Sequence, residues 1–127
     1  MPLKVIFIVA LKQELPTIFS EHVPIFTIKQ CIAEQKVEFD SSQICIVTGV
    51  GKTAIERTMT YIHNHLAPLF VVNFGTAGSS QYPTGTFVIP RAVMHSDHTY
   101  KLERSVFPFE SDQAYILADT LTTVTEV

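Results

Sequence analysis

Three stretches of the chain, Leu3 to Val9, Gln43 to Thr48 and Leu69 to Phe74, are mainly apolar, the first two rich in β-branched residues. The first and third run without alternation, the pattern of strands buried on both faces. A different pattern fills Thr53 to Leu66, where Ile55, Met59, Ile62 and Leu66 recur at intervals of four, three and four. That is one stripe of a helix. Thr53 with Glu56 fits a capping box at its start, and Pro68 stops it. A shorter helix is expected over Leu11 to Phe19, with Leu11, Leu15, Ile18 and Phe19 on one side and Pro16 early, where a missing N–H matters least. Val23 to Phe39 alternates and contains Pro24 and several charges, which predicts two or three antiparallel strands of a meander.

Strand, glycine turn, helix and strand, from Gln43 to Phe74, form a βαβ unit, whose right-handed crossover implies a parallel pair. A further strand, Thr86 to Pro90, follows the turn Pro83-Thr84-Gly85, with Ala92 to His95 as its extension. Gln113 to Leu121 reads as the start of a helix, from the spacing of Ala114, Leu117, Ala118 and Leu121. The class is α/β. All five glycines lie between positions 49 and 85, so special backbone geometry is concentrated there. With neither repeats nor low-complexity linkers, residues 1–127 read as a single domain.

Composition narrows the function. Of 127 residues, 46% are apolar and 17% charged, which excludes intrinsic disorder. Nine basic against twelve acidic side chains, a net charge of −3, argue against a nucleic-acid partner. No apolar run reaches the roughly 20 residues of a membrane helix. Lys4 before an apolar run resembles a secretory signal, but Lys12, Gln13 and Glu14 end it early and no small-residue cleavage site follows. Cys31 and Cys45 have neither metal nor disulfide spacing and are expected as buried, reduced thiols. The chain is read as cytoplasmic.

Four segments could carry chemistry. Gly49-Val50-Gly51-Lys52-Thr53-Ala54 fits the dinucleotide pattern G-x-G-x-x-G/A between a strand and a helix. The next strand ends in Asn73, without an acid for a ribose, and the motif does not follow the first strand. A P-loop fails too, since the glycine it needs six residues before Lys52 is Ile46. A tight turn with the helix packed close is the plainer reading. The second segment, Asn73-Phe74-Gly75-Thr76-Ala77-Gly78, ends a buried strand, where open α/β sheets bind ligands. Its backbone N–H groups and one hydroxyl suit a phosphate, a sugar hydroxyl or a polarised water, or else form a plain turn. Glu14 follows the first strand, placed either to act as a base toward water or only to favour a helix dipole. His95-Ser96-Asp97-His98 has two histidines three apart but no third ligand cluster, so no metal is expected. His63 and His65 fall on different helix faces and are expected at solvent.

Taken in order, these segments resemble the nucleoside phosphorylase and nucleosidase superfamily, especially methylthioadenosine/S-adenosylhomocysteine nucleosidases. The resemblance runs from Val5-to-Glu14 through Thr48-Gly49-Val50-Gly51-Lys52, is sharpest at Asn73 to Gly78, and continues through Gly85 to Ile89 and Met94 to Asp97. It implies an α/β sandwich around a mixed sheet flanked by helices, and cleavage of the N-glycosidic bond of a purine nucleoside without a cofactor. Carried over, Glu14 matches the carboxylate that positions the attacking water. Thr76 matches the hydroxyl residue near the nucleophile, Ala77 and Gly78 the loop beside base and ribose, and Val50 an apolar contact with the 5′ substituent. Phosphorylases carry a Gly-Asp-Pro-like loop after the first strand; Val9-Ala10-Leu11-Lys12 stands here instead, which favours water over phosphate.

The family's Met-Glu pair on the ribose and its purine-protonating aspartate come from a part with no counterpart after Gly78. Asp97, Asp112 and Asp119 lack the family's context, so the nucleosidase activity is expected of the parent protein and these 127 residues alone are expected to be inactive. The chain is therefore expected to be incomplete at its C-terminus, with an exposed sheet edge and a tendency to form a homodimer. Three readings stand at this point: a purine nucleosidase domain, a non-catalytic nucleoside- or nucleotide-binding module, and a structural half that assembles through its sheet edge. Phosphate in place of water remains the variant of the first.

Overall fold

The computed structural model describes residues 3–15, 21–76, 78, 80–90, 92–95, 98–101, 115–118 and 121–123. The chain divides into two compact units, Met1–Ala77 and Gly78–Val127.

The first unit is built on strand β1 (Val5–Val9), flanked by β3 (Gln43–Val47) and β4 (Phe70–Asn73), with β2 (Ile25–Thr27) beyond β3. All three pairings are parallel, with Val5 opposite Gln43 and Phe70, and Ile25 opposite Cys45. As expected of a run apolar at every position, all five residues of β1 are buried. Two helices, α1 (Ile28–Glu34) and α2 (Lys52–His65), complete the α/β unit. Ile6 and Ile8 of β1 join Ile44 and Ile46 of β3 in one cluster with Ile28, Cys31, Tyr61, Ile62 and Leu66 from or beside the helices. Burying each such isoleucine contributes roughly 1.5–3 kcal/mol. Val5, Phe7, Val9 and Cys45, which alternate with these, are buried too.

Residues 23–39 depart from the expected meander. β2 pairs parallel with β3, and a helix follows it directly. The helix starts because Thr27 Oγ1 accepts the Gln30 N–H at 3.1 Å, a side-chain cap. Ile28 and Cys31, three apart, are its buried residues. It ends where Gln35 takes the left-handed conformation (φ 49°) and Lys36 N–H reaches Cys31 O at 3.0 Å. The Tyr61 hydroxyl, from α2, lies within reach of the Cys31 and Lys36 carbonyls at that end. Lys36 itself stands 5.2 Å from the ring centres of both Phe26 and Phe39.

Other boundaries differ in smaller ways. α2 begins one residue before the expected Thr53, with Gly51 rather than Thr53 at its N-cap and no side-chain cap. Ile62 and Leu66 of the predicted stripe are buried, Ile55 is half-buried, and Met59 is exposed. β3 and β4 are parallel, but each pairs with β1 between them instead of with the other. β4 is the outermost strand of this sheet, and its residues alternate between half-buried and exposed instead of being covered on both faces. After β1, a 3₁₀ turn (Lys12–Glu14) replaces the first part of the expected helix; residues 16–20 lie outside the described residues. Cys31 and Cys45 are buried and unpaired, Cys31 on a helix instead of a strand. Burial pushes the Cys45 thiol up to about 11 and raises that of Cys31.

The second unit contains β5 (Phe87–Pro90), β6 (Ala92–His95), β7 (His98–Lys101), β8 (Tyr115–Ala118) and β9 (Leu121–Thr123). β5 pairs parallel with β8; β6 lies between an antiparallel β7 and a parallel β9. Residues 92–95 thus enter a different sheet from β5. The helix expected over 113–121 is replaced by β8 and β9: the apolar residues were spaced for a helix, but pairing to β5 and β6 satisfies these backbones as ladders.

Candidate functional site

Because β1, β3 and β4 are parallel, their C-terminal ends face the same way, and the loops that follow them meet at one edge of the sheet. β1 runs out through Ala10 and Leu11 into the 3₁₀ turn that ends at Glu14. β3 runs through Thr48 into the glycine turn before α2, and β4 through Phe74 and Gly75 to Thr76.

Hydrogen bonds between these exits fix the loops. Phe74 N–H donates to Ile8 O at 2.8 Å, Thr48 N–H to Val9 O at 2.8 Å, and Gly49 N–H to Ala10 O at 3.1 Å. The glycine turn needs its glycine because Gly49 has φ +89°, where an L side chain is strained; the space itself would admit a Cβ, at 3.6 Å from that of Ala54. The dinucleotide-like pattern thus serves a tight turn with the helix close behind it, the plainer of the two sequence readings. Lys52, on the first turn of α2, lies 3.8 Å from Glu56 along the exposed face of its own helix.

The sharpest feature joins two residues 62 apart in sequence. Thr76 presents both its backbone N–H and its hydroxyl to Glu14 Oε2, each at 2.9 Å. The other carboxylate oxygen, Oε1, accepts the Leu11 N–H at 3.2 Å, back across the 3₁₀ turn. A carboxylate oxygen has two acceptor positions, so among the described residues Oε2 is filled and Oε1 keeps one. The Thr76 hydroxyl, donating to Glu14, keeps acceptor capacity of its own. Glu14 is half-buried and packs beside Gly75, where a Cβ would make ordinary van der Waals contact with Oε2 at 3.6 Å. The result is a carboxylate held in one orientation beside a hydroxyl, with one oxygen able to accept a further hydrogen.

Two of the five sequence-predicted site residues, Glu14 and Thr76, are in direct contact. Val50 lies on the turn after β3 and is 73% exposed, an apolar side chain held out in solvent. Ala77 lies outside the described residues. Gly78 belongs to the second unit, with open space where a Cβ would be. Sequence reasoning passed over Thr48, 1% exposed, whose hydroxyl donates to Gly49 O at 2.7 Å. A β-branched hydroxyl closing an apolar strand just before a glycine was the available signal. It also passed over the Leu11 N–H, a backbone group with no sequence signal at all. Among the described residues no three His, Cys, Asp or Glu side chains come together as metal ligands. His95 and His98 are register partners across β6 and β7, and Ser96 and Asp97 lie outside the described residues. His63 and His65 are exposed, His65 with its ring 5.0 Å from that of Tyr61.

A parallel α/β sheet with ligand-type loops at its C-terminal edge defines the class, and comparison with known families supplies the lineage: the chain belongs to the phosphorylase superfamily, whose model matches residues 4–124. Nearer at hand, a 5′-methylthioadenosine/S-adenosylhomocysteine nucleosidase from Oceanobacillus iheyensis is 32% identical over 60 residues, 46% of this chain. That match takes in 26% of the relative's length. No solved structure matches the chain significantly. Among the described residues no helix is long and apolar enough to cross a membrane.

Proposed function

We propose that this chain carries the nucleophile side of a purine nucleosidase, an enzyme that hydrolyses the N-glycosidic bond of methylthioadenosine, S-adenosylhomocysteine or a related nucleoside. The observation that carries the reading is the Glu14 carboxylate, oriented by Thr76 and Leu11 with one acceptor position left on Oε1. A water donating to Oε1 has its oxygen directed away from the carboxylate, toward a C1′ seated over the loops. In the step, the water oxygen bonds to C1′ as the C1′–N bond breaks and its electron pair leaves with the purine. The water's proton passes to Glu14. The purine takes up a proton from a group outside the described residues or from solvent. Holding the water in place lowers the barrier chiefly by orientation, since the sugar develops oxocarbenium character with little help from a strong nucleophile.

Thr76 is assigned two tasks: to fix the carboxylate, and to accept from the water or a ribose hydroxyl. By the family resemblance, Ala77 and Gly78 are assigned to base and ribose, and Val50 to an apolar contact with the 5′ substituent. The assembly is read as a cytoplasmic homodimer. The phosphorylase superfamily and the partial likeness to a nucleosidase support a nucleoside-processing role. The choice of water rests on the exit of β1, where Leu11 and Lys12 stand in place of a glycine-rich phosphate loop.

Mass spectrometry of products from methylthioadenosine, adenosine and inosine, with and without phosphate, tests this. Free base with unphosphorylated sugar supports hydrolysis, with the purine-protonating acid supplied within these residues or by a partner chain. A sugar 1-phosphate formed only with phosphate would replace hydrolysis by phosphorolysis. Nucleoside binding without release would leave a binding module.

A further inference from the structure

Thr48 is the buried polar residue nearest the site, and its bonds have a pattern that packing alone does not require. Its N–H continues the sheet ladder to Val9 O at 2.8 Å. Its hydroxyl donates to Gly49 O at 2.7 Å, with Val9 O at the outer limit, 3.4 Å. The hydroxyl has one hydrogen, and the shorter contact takes it. That hydrogen therefore grips the peptide joining Gly49 to Val50. A trans peptide points its C=O and N–H in opposite directions. Drawing the Gly49 carbonyl inward to Thr48 thus turns the Val50 N–H away from the sheet. Gly49, with φ +89° and no Cβ, does not itself choose between this orientation and the flipped one.

We infer that Thr48 is a positioning residue: its hydroxyl selects the orientation of the Gly49–Val50 peptide and so sets where Val50 meets a nucleoside's 5′ substituent. This rests on the nucleosidase reading for the identity of the ligand, but not for the latch itself. Without the hydroxyl, the peptide samples both orientations, and the Gly49 N–H bond to Ala10 O at 3.1 Å opens more often. An apolar 5′ group then loses its contact, whereas a substrate with a 5′ hydroxyl, which owes little to Val50, does not.

Two variants decide it. Thr48→Val keeps the shape and removes the hydroxyl; Thr48→Ser keeps the hydroxyl. By amide exchange, the Gly49 amide is expected to exchange about tenfold faster in Thr48→Val, the scale of one lost hydrogen bond, and at the wild-type rate in Thr48→Ser. The Ile46 amide in β3 serves as the control that the strand stays folded. An unchanged Gly49 rate in Thr48→Val overturns the latch, whether or not any nucleoside is turned over. In base-release assays, KM for methylthioadenosine is expected to rise about tenfold in Thr48→Val, with KM for adenosine and both kcat values within about twofold. Thr48→Ser is expected to restore the difference. Parallel losses for both nucleosides, or no rescue by serine, overturn the role in specificity. A wild-type chain that releases base from neither removes the specificity role for this chain, and the exchange rates still decide the latch.

Discussion

Replacing Glu14 by glutamine changes a single atom type, and its consequence can be worked out bond by bond. Both carboxylate oxygens accept from N–H groups, Oε1 from Leu11 at 3.2 Å and Oε2 from Thr76 at 2.9 Å. Glutamine has one acceptor oxygen, so whichever way the amide turns, its NH₂ faces a backbone N–H. The less costly choice keeps the oxygen on Thr76, where two donors converge, and sacrifices the bond to Leu11. A hydrogen bond to a charged group contributes about 1.5–3 kcal/mol when sheltered; at this partly exposed site about 1 kcal/mol is expected. For a chain of this size that lowers Tm by roughly 3–5 °C. Turnover should fall much further, by about 10²–10⁴-fold, because the amide neither takes the water's proton nor holds the water by charge. Calorimetry and a base-release assay on the same preparation separate the two effects. Turnover within threefold of wild type would refute the role of Glu14, whatever the melting temperature did.

Three other outcomes follow from the same structure. Gly49→Ala puts a Cβ at φ +89° and should destabilise the first unit by about 1–2 kcal/mol in urea unfolding; an unchanged midpoint would mean the turn relaxes freely. Cys45, its thiol pushed up to about 11 by burial, should resist thiol reagents at pH 8 in the folded chain and react fully in urea. Because its folded value lies above the ordinary 9.0, the stability linked to it is complete below pH 9 and falls as pH rises through about 11. Cys45→Ala should make that alkaline loss shallower. Tyr61→Phe removes the hydroxyl that reaches the Cys31 and Lys36 carbonyls, and about 1 kcal/mol of stability with it, read from urea midpoints.

β1 was legible because a strand buried on both faces must be apolar at every position, as it is. α1 was not, because Pro24 and the charges around it read as strand punctuation. The local signals for a helix, Thr27 as cap and Ile28 with Cys31 three apart, span barely two turns. The exposure of β4 could not be read either: an apolar run reports that a strand tolerates burial, and its neighbours decide how much it receives. Residues 115–123 show the reverse error, since helical spacing of Leu117 and Leu121 yielded to strand pairing with β5 and β6. For the site, the position of Glu14 and of Thr76 after a buried strand was visible, and their contact was not. Contact depends on register, with Ile8 opposite Asn73, and on a 3₁₀ turn that brings the carboxylate back toward β4.

That register ties the site to the stability of the strand beside it. In its sheet β4 has one described neighbour, β1, and is anchored at its two ends by Phe70 N–H on Lys4 O at 3.0 Å and Phe74 N–H on Ile8 O at 2.8 Å. Beyond Phe74, among the described residues, two hydrogen bonds from Thr76 to Glu14 hold the chain to the exit of β1. An edge strand opens from its ends, and the end nearer the site opens only after those bonds break. Glu14→Ala removes both, so the Phe74 amide should exchange about tenfold faster while Phe70, at the far end, keeps its rate. Equal acceleration at both ends would mean that β4 leaves the sheet as a whole and the carboxylate has no local hold on it. No change at either would mean that the Thr76 loop is fixed by something other than Glu14, and the oriented carboxylate would lose its structural basis. The expected asymmetry makes the two hydrogen bonds from Thr76 both part of the frame of the nucleophile's partner and the clasp on the sheet edge.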